Sequence, residues 1–382
     1  MGNVSELEEQ ADRAAAAGDL AGARESLEQA VAAGGSTLAV WTKLSALRRA
    51  LGDIDGAIGA IERALALSPL HFSALLSRAM LLERKGDRRA GEAFTHALAQ
   101  LPDDCEVPLP MVNVVKHGRK RAAEHQASVE KRLVNAIPAE LDGKQLQRLE
   151  RLASNTSRRT RHFHQEPTNF HFPGLPEIEF HDRDLFPGIH EVECATDAIR
   201  AEYEALEGIK TAELVPYTQY PDHVPLAQWL ELNNNPAWTA IHLIQNGRRV
   251  DANAKHCPET LKALANLPQP VIPGAGPNAL FSLLAPKTRI PPHTGVANVR
   301  LVAHLPLIVP PNCGFRVGET TREWRVGEAF VFDDTIEHEA WNDSDELRVV
   351  LIFDMWPPAL DEAERHAVAK VVAAAGVSFK GV

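Results

Sequence analysis

The pattern of apolar and polar positions divides the chain into two parts. Through the first hundred residues, apolar positions follow a helical period, and Ala, Leu, Glu and Arg dominate the composition. This part contains one proline and two histidines, whereas the remaining 282 residues hold the other 25 prolines and 14 histidines. From Ala279 onward, short apolar runs alternate with Gly and Pro turn signals, which is typical of antiparallel strands. The sequence therefore predicts an α+β multidomain protein, helical first and strand-rich afterwards.

The helical part contains a repeat. Pairs of Gly and Asp recur at intervals of 34 residues, at Gly18-Asp19, Gly52-Asp53 and Gly86-Asp87. Gly is favoured where a helix ends and Asp where a helix begins, so each pair predicts the end of one helix and the start of the next. Small residues keep the same interval and predict close helix contacts: Ala23 with Ala57, and Ala30 with Ala64. Over about residues 5–102 this pattern resembles the tetratricopeptide repeat, and its third unit is shifted by one residue near Ala90–Ala97.

Such repeat arrays usually bind peptides or pack on a partner domain, so a protein partner is possible here. The alternative is a helical cap that only stabilises its neighbour. Further segments look helical without the repeat: SVEKRLVNAI, GKQLQRLERLA and ATDAIRAEYEALEG. We predict helical repeats over residues 1–104, a helical connecting segment over 105–160, a strand-rich domain over 161–360 and a C-terminal helix or tail over 361–382.

The strand-rich part predicts a sandwich or a jelly-roll barrel. Its strand candidates are ALFSLLAP, NVRLVAHLPLIVP, GFRVGETTREWRVGEAFVFDD and LRVVLIFDMW. No Gly-rich phosphate loop or βαβ run appears, which argues against a nucleotide-binding fold. A GxSxG motif is also absent, which weakens a serine hydrolase.

Composition and charge exclude several classes of protein. The net charge of −11 gives no support to a nucleic-acid or anionic-membrane partner. The four cysteines form no CxxC pair, which argues against a zinc ribbon or a disulfide scaffold. The N-terminus shows no basic and apolar leader, and no apolar run approaches the roughly 20 residues of a membrane helix. We therefore expect a cytoplasmic protein.

Histidines and arginines in the strand-rich part predict a site. His293 follows a Pro-Pro turn and His338 lies 45 residues later, so two neighbouring strands of a jelly roll could bring them together around a divalent metal. Arg348 lies within an apolar strand, where a guanidinium is costly unless it meets an anion such as a bound dicarboxylate. Arg300 and His304 share parity on their strand and therefore share a face.

These residues lie in motifs that resemble those of the aspartyl/asparaginyl β-hydroxylase family. The motifs are PPHTGVANVRLVAHLPLIVP, WRVGEAFVFDDTIEHEAWN and LRVVLIFDMWPP, and the resemblance covers about residues 165–358. It implies a double-stranded β-helix (jelly-roll, cupin-like) fold with Fe(II), and with 2-oxoglutarate and O2 as cosubstrates. The implied reaction hydroxylates a C–H bond, such as the β-carbon of an Asp or Asn residue in a peptide or protein, and releases succinate and CO2.

The resemblance also implies roles for individual residues. His293 and His338 would be the metal ligands, and Gly295 stands where related oxygenases carry a carboxylate ligand. Arg348 would hold the distal carboxylate of 2-oxoglutarate and completes the implied catalytic set. Further implied contacts to the cosubstrate are Trp238, Ser282, Arg300 and His304. One departure is Val302, where the family commonly has a basic residue.

Some alternatives remain open at this stage. A water held by a nearby carboxylate could complete the metal shell. We favour Asp334 for this role over Glu337, because Glu337 adjoins His338 on a strand and should point to the opposite face. The pair Asp333-Asp334 could instead be a strand-end turn. The chain could also be a non-catalytic repeat scaffold with a relic jelly roll, or a metal-bound isomerase or sugar-binding barrel. Free amino acids, protein side chains and acyl chains all remain candidate substrates.

Overall fold

The computed structural model describes residues 4–101, 107–207, 212–221, 223 and 225–376. The chain forms two compact units, one ending at Arg161 and the other beginning at His162. Parts of the predicted segments 1–104, 105–160 and 361–382 lie outside the described residues, at positions 1–3, 102–106 and 377–382. No helix among the described residues is both long and apolar enough to cross a membrane.

The N-terminal unit is entirely helical in its described residues. Its helices are α1 (Val4–Ala16), α2 (Leu20–Ala32), α3 (Leu38–Ala50), α4 (Ile54–Leu67), α5 (Phe72–Lys85), α6 (Ala90–Leu98), α7 (Val112–Val134) and α8 (Gly143–Thr156), with a short 3-10 helix at Leu109–Met111. The alanines of the predicted repeat, Ala23, Ala30, Ala57 and Ala64, are all fully buried. The predicted helical N-terminal part is therefore confirmed.

Two of the three Gly-Asp pairs start a helix as predicted. The carboxylates of Asp19 and Asp53 accept hydrogen bonds from the backbone N–H groups of Gly22 and Gly56, each at 2.8 Å, and so cap α2 and α4. The prediction is wrong for Asp87. Its carboxylate accepts the N–H of Arg89 at 2.9 Å, and α6 begins only at Ala90 without a side-chain cap. The local bond between Asp87 and Arg89 thus replaces the cap and delays the helix.

The C-terminal unit contains two antiparallel sheets and five helices in its described residues. The strands are β1 (Phe180–His181), β2 (Val215–Pro216), β3 (Trp238–Gln245), β4 (Arg248–Arg249), β5 (Ala279–Leu284), β6 (Thr288–His293), β7 (Leu301–Ile308), β8 (Cys313–Val317), β9 (Thr320–Glu323), β10 (Phe330–Phe332), β11 (His338–Asn342) and β12 (Arg348–Met355). The helices are α9 (Ile189–Cys194), α10 (Thr196–Glu207), α11 (Asp251–Ala254), α12 (Pro258–Ala265) and α13 (Glu362–Ala375), with 3-10 turns at Arg183–Leu185 and Ala227–Trp229. The predicted strand-rich part and the helix in ATDAIRAEYEALEG are confirmed.

The strand order brings distant segments together. The larger sheet runs β1-β10-β7-β12-β5-β3-β2, with β4 paired to β3, and the smaller sheet runs β6-β11-β8-β9. One face of the larger sheet packs on α9, α10 and α12, while its other face shares a core with the smaller sheet. Strand β12 shows how the sequence directs this arrangement. Val349, Leu351 and Phe353 pack in the core that includes the helices, whereas Arg348 and Ile352 line a cavity on the opposite face.

The prediction of a Pro-Pro turn before His293 is wrong. Pro291 and Pro292 lie inside β6, which among the described strands pairs only with β11 and forms the edge of the smaller sheet. Proline lacks a backbone N–H, and an edge strand tolerates that loss because half of its hydrogen-bonding groups have no strand partner. Strand β6 therefore continues through both prolines to its last residue, His293.

Candidate active site

A cavity of about 460 Å³ in the C-terminal unit brings together every side chain that the sequence singled out for the site. Both sheets contribute to its wall. The predicted residues that line it are Trp238, Ser282, His293, Arg300, His304, His338 and Arg348. All seven are buried, although six of them are polar or charged groups that would ordinarily be solvated.

The two histidines lie opposite each other across a strand pair. His338 of β11 is the register partner of His293 of β6, and their ring centroids are 4.0 Å apart. Each Nδ1 lies within hydrogen-bonding distance of a backbone carbonyl, at 2.7 Å from that of Pro291 and 3.1 Å from that of Ile336. With Nδ1–H as donor, each Nε2 keeps a lone pair for another partner.

Burial keeps both imidazoles neutral. It lowers the pKa of His293 to about 4, against the opposing effect of its bond to Pro291. The pKa of His338 falls well below its usual value, first through burial and then through the proximity of His293. Neutral imidazole is the form that binds a metal, so this pair can act as two metal ligands at neutral pH.

Arg348 is a buried cation without a counter-charge. Its side chain is 2% exposed, and no carboxylate among the described residues forms an ion pair with it. Its Nε has no hydrogen-bond acceptor, and its guanidinium lies 5.3 Å from the ring centroid of Trp324. Burial lowers the pKa of Arg348 to about 10, which still leaves it charged at pH 7. A buried, unpaired guanidinium that faces a cavity provides a site for an anion.

Polar groups near Arg348 are similarly available. The His304 ring stacks on Trp324 with centroids 5.4 Å apart, and its Nδ1 has no hydrogen-bond partner among the described residues. Burial, followed by the charge of Arg348, holds the pKa of His304 well below its usual value. Ser282 Oγ accepts the indole N–H of Trp238 at 3.1 Å, so its own hydroxyl hydrogen remains available to a ligand.

Arg300, in contrast, is already engaged. Its guanidinium donates to Asp334 at 2.9 Å and to Asp354 at 3.1 Å, and both carboxylates are buried. Burial raises the pKa of Asp334 to about 7 even though the charge of Arg300 opposes this shift. Within the part of the chain that the structure describes, the Oδ1 atom of Asp334 has no hydrogen-bond partner, so one oxygen of this carboxylate is available in the cavity wall.

The position of Asp334 accounts for the glycine in the motif. A Cβ atom at position 295 would lie 2.1 Å from Asp334 Oδ2, far inside any real contact distance. The backbone N–H of Gly295 also donates to the Asp334 carbonyl at 2.6 Å, which fixes the two segments side by side. A carboxylate therefore does line the same cavity as the histidine pair, but it comes from residue 334 rather than from residue 295.

Of the other residues considered from sequence, Asp333 and Glu337 lie outside this arrangement. Asp333 turns away from the cavity and accepts hydrogen bonds from Gln165 and Thr335. Glu337 is half-exposed and pairs with Arg316 at 3.0 Å. Val302 does line the cavity, so an apolar wall replaces the basic residue expected there.

Sequence reasoning missed several residues of the site. Asp354 lies six residues after Arg348 in the same strand, and an acidic residue of matching parity in an apolar strand was a usable signal. The aromatic neighbours had no comparable signal because their contacts join distant segments: Trp324 lies against His304, Trp229 lies edge-on to His293 at 5.0 Å, and Tyr217 stacks on Trp238 at 3.9 Å.

Known proteins resemble the unit that carries this cavity. Residues 193–358 match the family described as aspartyl/asparaginyl beta-hydroxylase. Aspartate beta-hydroxylase domain-containing protein 2 of Xenopus tropicalis is 31% identical over 217 residues, which is 55% of this chain and 55% of that protein. Human aspartyl/asparaginyl beta-hydroxylase is 35% identical over 132 residues, 34% of this chain and 17% of that protein. Ornithine lipid ester-linked acyl 2-hydroxylase of Rhizobium tropici is 34% identical over 196 residues, 50% of this chain and 66% of that protein.

Among solved structures, similar chains include MamA and the Arabidopsis OM64 TPR domain. MamA has a TM-score of 0.27 and 16% identity and covers 41% of this chain and 77% of its own. The OM64 domain has a TM-score of 0.27 and 19% identity and covers 32% of this chain and 95% of its own.

The chain spans about half the length of the first of the three sequence relatives and less than a fifth of the human one. The family match and these relatives agree with the motifs around His293, His338 and Arg348. Residues 193–358 of the C-terminal unit therefore match the aspartyl/asparaginyl β-hydroxylase family, and the chain is similar to these relatives over that part of its length.

Proposed function

We propose that this chain is an Fe(II)- and 2-oxoglutarate-dependent dioxygenase with a double-stranded β-helix catalytic unit. One observation carries the proposal. Two neutral imidazoles with available Nε2 atoms line the same cavity as Arg348, a buried guanidinium that has no counter-charge among the described residues. A divalent metal suits the first feature and a dicarboxylate suits the second, and 2-oxoglutarate is a dicarboxylate that can also chelate a metal.

The donor set fits Fe(II). His293 and His338 would hold the ion, and two protein ligands leave coordination positions for 2-oxoglutarate and O2. When bound, Fe(II) with these cosubstrates supplies the oxidation that places one oxygen atom of O2 in the substrate C–H bond and the other in succinate, with loss of CO2. The bonds from Nδ1 to Pro291 and Ile336 orient both rings for this task.

The residues around Arg348 would position the cosubstrate. Arg348 presents a planar fork to the distal carboxylate, and Trp324 packs against both Arg348 and His304. Ser282 can donate its hydroxyl hydrogen because it already accepts from Trp238. His304 offers a further hydrogen-bonding atom in the same wall.

Asp334 would act through water rather than as a direct ligand. Its Oδ2 is held by Arg300, whereas its Oδ1 has no partner in the described residues and can accept a hydrogen bond from a water beside the histidine pair. Asp354 fixes the other side of Arg300. Arg300 therefore has a positioning role in this proposal, and its contact to the cosubstrate, expected from the resemblance, becomes secondary.

The proposed substrate is the β-carbon of an Asp or Asn residue in a peptide or protein. The names of the human and Xenopus relatives support this choice, and the helical repeats offer a surface that could bind a protein partner. A second candidate is an acyl chain, since the Rhizobium relative is named for one. Val302 and Ile352 support this alternative because they give the cavity an apolar wall.

Turnover measurements test the proposal. Purified protein with Fe(II) should consume 2-oxoglutarate and form succinate, and mass spectrometry of peptide and lipid pools should show the gain of one oxygen atom. His338→Ala should abolish both signals because it removes half of the metal pair, whereas His190→Ala, which changes an exposed histidine of α9, should leave them intact. Equal turnover in the His338→Ala variant would contradict the assignment of His338 as a metal ligand, whereas absence of turnover in the unmodified protein would favour the non-catalytic scaffold.

A further inference from the structure

A second cluster of metal-binding side chains lies on the surface of the C-terminal unit. We propose that His162, His164 and Glu177 form a site for a divalent transition-metal ion of the Zn²⁺ type, separate from the histidine pair of the cavity. One ligand atom from each of the three residues lies within 4.8 Å of the other two. None of the three residues lines the cavity around His293 and His338.

The spacing of the ligand atoms suits one small ion. His164 Nδ1 lies 3.1 Å from Glu177 Oε2, and His162 Nε2 lies 3.8 Å from the same oxygen. Nitrogen and oxygen ligands at about 2.0–2.1 Å from a tetrahedral zinc lie about 3.3 Å from each other. Both distances to Glu177 Oε2 are within about 0.5 Å of that separation.

The cluster is held in place before any ion binds. The two histidines alternate along the chain, and their ring centroids are 4.3 Å apart. The Glu177 carboxylate accepts the backbone N–H of Gln165 at 3.0 Å, which fixes it beside both rings. Burial opposes ionisation of Glu177, but its bonds from Gln165 and His164 outweigh that effect and lower its pKa. The carboxylate is thus charged and oriented at neutral pH.

Exposure makes this site accessible and distinguishes it from the cavity. The side chains of His162 and His164 are 55% and 65% exposed, so an ion can reach them and water can complete its shell. Imidazole and carboxylate ligands together favour a borderline ion such as Zn²⁺ over Ca²⁺ or Mg²⁺, which prefer oxygen ligands.

An ion here would restrain a segment that contacts the active-site wall. Gln165 follows the two histidines directly, and its side chain donates to Asp333 at 2.5 Å and accepts from Asn298 at 3.0 Å. The backbone N–H of Glu166 donates to the carbonyl of Thr335 at 2.7 Å. These bonds lie on both sides of Asp334, so the bound ion would stabilise the turn that contains Asp334.

Metal stoichiometry tests the site independently of the proposed function. In a His293→Ala/His338→Ala background, which lacks the cavity pair, equilibrium dialysis against Zn²⁺ should still leave one ion per chain. Adding His162→Ala and His164→Ala should remove that ion. The control is His190→Ala in the same background, which should keep the ion although His190 also lies near a carboxylate, at 3.5 Å from Glu193. With Co²⁺ in place of Zn²⁺, only the variants that keep His162 and His164 should show the visible absorption of a low-coordinate site.

Two results would overturn the proposal: no bound ion in the background variant, or an ion that remains after both surface histidines are removed. If the background variant does not fold, the unmodified chain provides the same test. His162→Ala/His164→Ala should lower its stoichiometry by one ion and should reduce the rise in melting temperature that Zn²⁺ produces. Single substitution of His164 should weaken binding at least about tenfold, because loss of even a hydrogen-bonded neighbour of a metal ligand costs that much. An unchanged stoichiometry in the double variant would count against the site whether or not the cavity binds iron.

Discussion

The side chain that Gly295 lacks would occupy the space that the Asp334 carboxylate fills. A Cβ atom at position 295 would lie 2.1 Å from Asp334 Oδ2, and Arg300 holds that oxygen at 2.9 Å. The glycine is therefore a steric requirement of this site. The carboxylate beside the histidine pair enters from the segment that leads into β11 instead of from the end of β6.

We predict that Gly295→Ala destabilises the C-terminal unit by about 1–3 kcal/mol, the usual cost of an added carbon in a tightly packed site. The variant should also lose most 2-oxoglutarate turnover, because Asp334 must move. Denaturant unfolding followed by tryptophan fluorescence measures the first effect, since Trp41 is the only one of the six tryptophans in the N-terminal unit. Gly295→Ala should cost less stability in an Asp334→Ala background than in the unmodified chain, although activity should not return in the double variant. An equal cost in both backgrounds would show that the clash is not with Asp334.

Arg348→Met should make the protein more stable and less active. Removal of an uncompensated buried charge should raise the free energy of unfolding, by about 1–4 kcal/mol if it resembles the replacement of other buried charges by apolar residues. The KM for 2-oxoglutarate should rise at least about tenfold, since a hydrogen bond to a charged group contributes about 1.5–3 kcal/mol. Arg316→Met is the matched control, because Arg316 already pairs with Glu337 and Glu339 and should give no gain in stability. A destabilised Arg348→Met variant would mean that Arg348 has a protein partner.

The pH dependence of stability should reveal the protonation of Asp334. Its pKa is about 7 in the folded protein, above the value of about 3.9 in an unfolded chain. The folded state therefore holds a proton that the unfolded state has lost, so the stabilising contribution is complete below about pH 4 and disappears as the pH rises through about 7. The measurement compares the free energies of unfolding of metal-free wild type and metal-free Asp334→Asn. The difference, wild type minus variant, should fall as the pH rises across this window and then level off. A difference that stays flat or increases would contradict the raised pKa.

The site was largely predictable from sequence because most of its residues lie on strands, although Arg300, predicted on a strand, lies in a bend one residue before β7. Strand parity placed Arg300 and His304 on one face, and a charged residue in an apolar strand pointed to Arg348. The pairing of His293 with His338 could be anticipated once neighbouring strands were assumed, and the register bears it out. The packing of Asp334 against Gly295 could not be predicted, because it depends on the path of a loop that no periodic pattern describes.

The helix caps of the repeats provide a matched pair of tests. Asp53→Ala should cost about 1 kcal/mol of stability in the N-terminal unit, because it leaves the N–H of Gly56 without its acceptor. Asp87→Ala should cost less, because Asp87 bonds to Arg89 and does not cap α6. Thermal unfolding followed by far-ultraviolet circular dichroism compares the two variants. Equal losses would show that the third repeat uses the same cap as the others.

The same repeat shows where sequence reasoning fails. The 34-residue interval predicted two helix starts correctly, because Asp19 and Asp53 each lie one residue before a helix. The third Gly-Asp pair looks identical in sequence, yet a neighbouring arginine takes up the Asp87 carboxylate and the helix begins later. Likewise, the Pro-Pro pair before His293 is a turn signal in isolation and becomes part of a strand only because β6 lies at a sheet edge.

Anaerobic titration with Fe(II) and 2-oxoglutarate tests the central claim most directly. If His293 and His338 hold the metal and Arg348 holds the distal carboxylate, the protein should develop a visible metal-to-ligand charge-transfer band that saturates at one equivalent of Fe(II) bound in the cavity. The band should be absent in His338→Ala and should require far more 2-oxoglutarate in Arg348→Met. Absence of the band in the unmodified protein, or an undiminished band in His338→Ala, would contradict the assignment of this cavity as an Fe(II)- and 2-oxoglutarate-dependent active site.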